Sequence, residues 1–415
     1  MSVRRPSSLA VARSRPAAVV LTIQALVVAI GPLSIDMVLP AMPVFGRALS
    51  ADADQLQATM TVYLMGLAIG HLAWGPLSDA FGRRRPLLAG LWLYLFSALG
   101  CALTGDIHVL IGLRGLQALG ASAAAVIVRA MIRDRHAPSD VARAFSTLTA
   151  MMGFAPVVAP LLGGVVLLGA GWRAIFGLLA AWSAALLVLV ATGLHETHHP
   201  VAGGVRPAAL LRGLRRLLGH RRFMLAALSA AATQSILLVY LSAAPLVLGQ
   251  APGTAPDTVS WLLALSGAAY IIGAQVNGLL LRIRSAASIL RRAARLQLAA
   301  TASLLLLSVT GRGGLLAQMT AICVLLASIG LSTPNALALA LRPFRGRVGM
   351  AASLISGLQY LLAIALIGVR SLLGPPSMTT VALVALGVAV AVNLVGVSAA
   401  RERAGRRAAV ARPAA

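Results

Sequence analysis

Residues 34–43, Ser-Ile-Asp-Met-Val-Leu-Pro-Ala-Met-Pro, place one carboxylate, Asp36, near the end of an apolar run that begins at Ala17. A carboxylate at membrane depth costs roughly 2.5–3.5 kcal/mol on insertion scales, so function is its default reading. Pro32, Pro40 and Pro43 bracket it, break the helix locally and free backbone groups that need partners or water. No other acid lies deep in an apolar segment. The chemistry open to such a group is reversible proton binding, and Asp36 is read as the proton-binding residue of a membrane transporter.

Arg114, within Leu113-Arg114-Gly115-Leu116-Gln117, is the second charge out of place. Asp36 lies nine residues before the exit of its span near Phe45, and Arg114 seven residues after the entry of another near Ile107. At ~1.5 Å per residue these are depths of ~13 and ~10 Å below the same face. The two are expected at similar depth, facing one cavity. Burial favours a protonated carboxylate and a fixed cation an ionised one, and that opposition lets the proton respond to an arriving substrate. The competing reading is a static ion pair that only fixes helix register.

Gly75-Pro-Leu-Ser-Asp79-Ala-Phe-Gly82-Arg83-Arg84-Arg85 closes another apolar segment. Its glycines permit a tight turn, and Asp79 can pair with arginines of its own loop or cap a neighbouring helix. Such a cluster can latch one face shut. The stretch 153–164 spaces Pro156, Ala159, Pro160, Gly163 and Gly164 along one helix, so that it bends and lets neighbouring backbones approach. Polar residues in other segments, Gln24, Tyr63, Gln117, Gln234, Tyr240, Asn335 and Gln359, together with Met37, are candidates to line a substrate cavity; hydrogen bonding between helices is as good a role for any one of them. His71 is read as packing, and Met60, Met65, Met151 and Met152 as membrane packing that would also suit an adaptable pocket.

These residues need a scaffold, and composition supplies it. Of 415 residues 59% are hydrophobic and 11% charged, with apolar runs near 20 residues recurring along the chain. That is a polytopic all-α membrane protein; a β-barrel would show short alternating segments instead. Twelve spans are expected near 17–45, 56–78, 86–104, 107–130, 143–168, 174–194, 223–248, 258–281, 295–311, 315–341, 349–371 and 377–399. The net charge is +25 and all 35 basic residues are Arg. They gather in alternate loops, which is a topology signal rather than a nucleic-acid surface. Both termini are therefore expected in the cytoplasm, as an even span count also requires. Cys101 and Cys323 sit in separate apolar segments and read as buried small residues.

The longest break, 195–222, divides six spans from six and is expected to be a cytoplasmic linker. It separates an N-terminal half, 17–194, from a C-terminal half, 223–399, with tails at 1–16 and 400–415. The cluster His195-Glu196-Thr197-His198-His199 reads as solvated linker rather than metal site, and Leu210 to Arg222 as a segment able to lie on anionic lipid. Two similar halves place a substrate site between them near the midplane.

At this point the residues resemble a known family, the major facilitator superfamily, and within it the Bcr/CflA (bicyclomycin-resistance type) drug:proton antiporters. The likeness to the superfamily covers all twelve segments; the specific motifs lie in the first half. Ser34-Ile35-Asp36-Met37 with Leu39-Pro40-Ala41 is similar to that branch's first-span signature, and Gly75 to Arg84 to the superfamily's loop between spans two and three. Arg114 falls at its fourth-span arginine, associated with proton coupling. Ala159 to Gly164 resembles the antiporter motif of span five, with Ala159 where Gly is usual, and Gly171 to Phe176 the branch's entry to span six. Ala80 departs from a frequently basic position, and Gly273 with Asn277, Gly278 and Arg282 only faintly echoes the loop in the second half. The resemblance implies a proton-driven multidrug exporter of the bacterial inner membrane, a monomer in lipid, with drug-like molecules and protons as partners and no cofactor. The rival is a dedicated exporter or importer of one metabolite such as a sugar, amino acid or siderophore. An enzyme would need a nucleophile–base pair or metal cluster at depth, and none is present in the sequence.

Overall fold

The computed structural model describes residues 17–135, 155–198, 215–249, 256–312, 314–341 and 348–410. Long helices dominate: α1 (Ala17–Asp36), α2 (Ala53–Phe81), α3 (Arg84–Leu103), α4 (Ile107–Arg135), α5 (Ala155–Ala170), α6 (Trp172–Gly193), α7 (Arg221–Gly249), α8 (Pro256–Leu280), α9 (Ala286–Thr310), α10 (Gly314–Leu341), α11 (Val348–Leu372) and α12 (Met378–Val410). Among the described residues ten helical stretches are long and apolar enough to cross a membrane, and two more, Ala155–Ala170 and Met378–Leu394, are shorter apolar helices. This is a multi-pass membrane protein. The start of the span expected at 143–168, with Met151 and Met152, lies outside the described residues.

Local chemistry sets the helix ends. The first span does not run unbroken to Phe45. Pro40 lacks the N–H that would bond the Asp36 carbonyl, so α1 stops at Asp36. The chain then makes a 3-10 turn, Leu39–Ala41, and a short helix, Met42–Ala48, each with proline in its first turn, where a missing N–H costs nothing. α2 starts at a capping box: Asp52 Oδ1 accepts from the Gln55 N–H at 2.7 Å, and Gln55 Oε1 accepts from the Asp52 N–H at 3.0 Å. α9 begins at Ala286, earlier than expected, so Arg291, Arg292 and Arg295 stand on a helix rather than in a loop.

Packing repeats along the chain. The pairs α2–α4, α3–α4 and α3–α6 recur, six helices later, as α8–α10, α9–α10 and α9–α12. Glycine sets the closest approaches: a Cβ on Gly66 would strike the Gly115 carbonyl, and one on Gly330 the Tyr270 carbonyl. The first six helices meet the last six through α2–α11 and α5–α8, and through the Leu39–Ala48 segment, which reaches α7 and α8. At the end of the bundle holding that segment, Gln57 of α2 accepts from the buried Arg370 of α11 and donates to Ser371 Oγ at 3.0 Å.

Candidate functional site

Ending α1 at Asp36 orphans carbonyls of its last turn. The Met37 N–H bonds Leu33 O at 3.1 Å and the Val38 N–H bonds Ile35 O at 3.2 Å, which passes over Ser34. Arg114 fills that gap: its Nη1 donates to Ser34 O at 3.1 Å and to Gln117 Oε1 at 2.7 Å. The guanidinium lies 4.2 Å from the centre of the Tyr63 ring and 5.9 Å from that of Phe176, a cation–π arrangement. The Ser34 hydroxyl hydrogen-bonds Tyr94, and Tyr63 OH reaches Gly31 O at 3.5 Å. Three helices thus grip the back of α1 around one residue.

The front of α1 carries Asp36, 8% exposed, on the wall of a cavity of about 320 Å³. Helices α1, α2, α4 and α5 form one side and α7, α8, α10 and α11 the other. Among the described residues no basic side chain ion-pairs with Asp36. Arg114 does not line the cavity, so the expected shared cavity is corrected: equal depth holds, but Arg114 stands behind α1. Turn counting gives depth and not the direction a side chain takes around the axis.

Of the residues expected to line the cavity, Gln234 and Gln359 do. Gln24, Met37, Tyr63, Gln117, Tyr240 and Asn335 do not; all are buried between helices. Tyr240 OH bonds Ser266 Oγ at 2.8 Å, and Asn335 Nδ2 donates to Asn277 Oδ1 at 2.5 Å. Gln234 Oε1 accepts from Thr333 Oγ1 at 2.8 Å. Sequence reasoning missed Arg129, Tyr270 and Tyr360, and read His71 as packing; all four line the cavity. The His71 and Tyr360 rings lie 5.2 Å apart. A larger recess of about 600 Å³ between α7, α11 and α12 is aliphatic except for Ser229 and offers no ionisable group.

From Ala155 to Gly164 this stretch lies where the two sets of helices meet. Pro156 and Pro160 face the cavity and Ala159 is buried. Gly163 abuts the Met37 backbone, Gly164 abuts Ser260 of α8, and Gly267 of α8 abuts the Pro156 carbonyl. Its small residues serve close approach, as their spacing suggested.

The loop after α2 is a charge cluster. Arg83 pairs with Asp79, donates to Ser78 Oγ at 2.8 Å, and reaches Asp134 Oδ2 of α4 at 2.9 Å. Gly82 takes φ +81, a conformation that favours glycine, whereas a Cβ on Gly75 would meet nothing. Arg84 bonds the Ala191 carbonyl. His195 is exposed and residues 196–198 are partly so, but Glu196 does not stand free. The Glu196 carboxylate accepts from the backbone N–H groups of Arg83 (2.7 Å), Arg84 (3.0 Å), Thr197 (3.0 Å) and His198 (3.1 Å). It caps the start of α3 from 113 residues away. The end of the expected linker belongs to α7, which starts at Arg221; residues 199–214 lie outside the described residues.

Burial pushes Glu196 up, but its four N–H donors outweigh this and hold it below the ordinary 4.5. Its stabilisation is therefore complete above that ordinary value and lost as pH falls through the lower folded-state value. Glu196→Ala is expected to cost about 0.5–2 kcal/mol, the range for a lost N-terminal cap. Thermal unfolding in detergent at neutral pH checks this; an unchanged midpoint contradicts it.

With the fold and cavity in view, the comparisons identify the class. The Major Facilitator Superfamily model matches residues 25–368, and the chain belongs to that superfamily. It is a transporter and not an enzyme. It is 36% identical over 338 residues to the uncharacterized MFS-type transporter YdgK of Bacillus subtilis (strain 168), covering 80% of this chain and 83% of that one. It is 35% identical over 260 residues to a chloramphenicol resistance protein of Pseudomonas aeruginosa, covering 62% and 61%. A solved D-xylose-proton symporter shares the fold, with TM-score 0.76 and 15% identity over 90% of this chain and 97% of that one.

Proposed function

We propose that the chain is a proton-coupled exporter of small apolar or amphipathic drug-like compounds, a monomer of the bacterial inner membrane with both termini in the cytoplasm. Residues 17–194 and 223–399 are its two halves, joined by the 195–222 linker, and they rock about the cavity between them. The observation that carries the reading is Asp36, a buried carboxylate on that cavity with no basic partner among the described residues.

With the cavity open outward, Asp36 takes a proton and releases its cargo; open inward, it loses the proton and the next molecule binds. Arg114 positions this acid, because its guanidinium is spent on the Ser34 carbonyl, Gln117 and the Tyr63 ring. Gly163 and Gly164 let α5 run close to the Met37 backbone and to α8, which transmits rocking to the residues beside Asp36. The Asp79–Arg83–Asp134 cluster holds α2 to α4 at the inner face. The Gln57–Arg370–Ser371 cluster ties the halves at the outer face.

The choice of drugs as cargo is supported by the chloramphenicol resistance relative. Expression in an efflux-deficient bacterial host tests it. Raised resistance to chloramphenicol and to other, structurally unrelated drugs is expected. A phenotype limited to one nutrient or metabolite contradicts the multidrug reading.

A further inference from the structure

Arg129 is the charge that the proton cycle leaves unused. It lies on α4, fifteen residues beyond Arg114, which is about 22 Å along the helix axis. Since Arg114 bonds the carbonyl of Ser34, Asp36 and Arg129 stand towards opposite ends of the cavity. Arg129 is exposed to that cavity, and among the described residues it has no hydrogen bond or ion pair. His71 and Tyr360 line the same cavity, their rings 5.2 Å apart. A guanidinium bordering a low-dielectric cavity without an acid beside it is costly unless an anion comes to it. Its planar fork of donors matches a carboxylate, and the Tyr360 hydroxyl can add one more. Between the two charged ends, Leu237, Leu238 and Leu241 of α7, Leu263 of α8 and Leu326 of α10 form an apolar wall.

We propose that Arg129 is the anion-recognising group of this transporter and that the cavity takes amphipathic carboxylic acids, the acid group on Arg129 and the apolar body along the leucines. This rests on the reading of the cavity as the substrate path, and it adds a specificity that proton coupling at Asp36 does not supply. Selection is by charge: a neutral analogue keeps the apolar contacts and loses the charge-assisted hydrogen bonds.

The test uses the full-length protein in detergent and two environment-sensitive fluorescent probes, dansylglycine and its neutral amide. Wild type is expected to bind the acid at least about tenfold more tightly than the amide, since hydrogen bonds to charged groups are the stronger ones. Arg129→Gln should abolish that preference and leave amide binding within about twofold, because the apolar wall is untouched. Arg129→Lys should restore part of it, keeping the charge without the fork. The preference is a ratio of binding constants measured without a pH gradient, so a failure of proton coupling is read separately. No preference in wild type, a preference that persists in Arg129→Gln, or equal loss of both probes in that variant each overturns the proposal.

Discussion

Asp36→Asn is expected to abolish pH-gradient-driven drug accumulation in inside-out vesicles and to make the drug binding that remains insensitive to pH. Asn has the shape and polarity of Asp but exchanges no proton, so the cavity keeps its lining and loses its coupling. The loss should be at least about tenfold, the factor that each 1.4 kcal/mol produces in a rate. Binding of the same drug to detergent-solubilised protein should weaken and lose its pH dependence near neutrality, because the neutral amide resembles the protonated acid from which cargo leaves. The grip of Arg114 on Ser34 is a backbone contact and persists in the variant. Asp36→Glu keeps a titratable carboxyl and is expected to retain part of the activity. Vesicle uptake that matches wild type in Asp36→Asn would remove this residue from the coupling step.

Gly163→Val is expected to be the most disruptive change between Ala155 and Gly164. Any Cβ at this position meets the Met37 carbonyl oxygen, with Met37 C and Cα at 3.0 Å. These are backbone atoms that cannot turn aside, one residue beyond Asp36, so α5 must move away from the end of α1. Overpacking of this kind costs about 1–3 kcal/mol, and a branched side chain adds to the strain. The same helix carries Pro156 and Pro160 into the cavity and packs on α8, so export should fall together with stability. Gly169→Val is the control: a Cβ there meets nothing within 4 Å, and neither property should change. The thermal-unfolding midpoint and vesicle uptake, measured on both variants, decide it. Gly163→Val with wild-type values for both would show that this close approach carries no weight.

How much of this was legible in the sequence differs from residue to residue. Asp36 stood out, because it is the one acid deep in an apolar run. The break after it was legible in its prolines, although not that a 3-10 turn and a short helix, Met42–Ala48, would follow. The depth of Arg114 could be counted in residues. Its place behind α1 could not, because it depends on which orphaned carbonyl of α1 lies nearest in three dimensions. Arg129 was passed over: it lies one residue inside the end of the span expected at 107–130, with Arg133 and Arg135 following on α4, and no role was read for it. Its spacing from Arg114, close to four helical turns, was the available signal. Glu196 was misread for another reason. Its partners are backbone N–H groups at Arg83 and Arg84, and every non-proline residue carries one, so no residue type announces the contact. Polar residues such as Tyr240 and Asn335 could be placed in helices, but whether each faced the cavity or another helix was decided by packing.

Proton release ties the acid to the cargo most directly. A transported compound is added to detergent-solubilised protein in weakly buffered solution near neutral pH, wild type beside Asp36→Asn, and the change in pH is followed as binding saturates. The account predicts protons released in step with occupancy by the wild type and none by the variant. Equal release from both proteins, or saturable binding to the wild type with no release at any pH near neutrality, would contradict it.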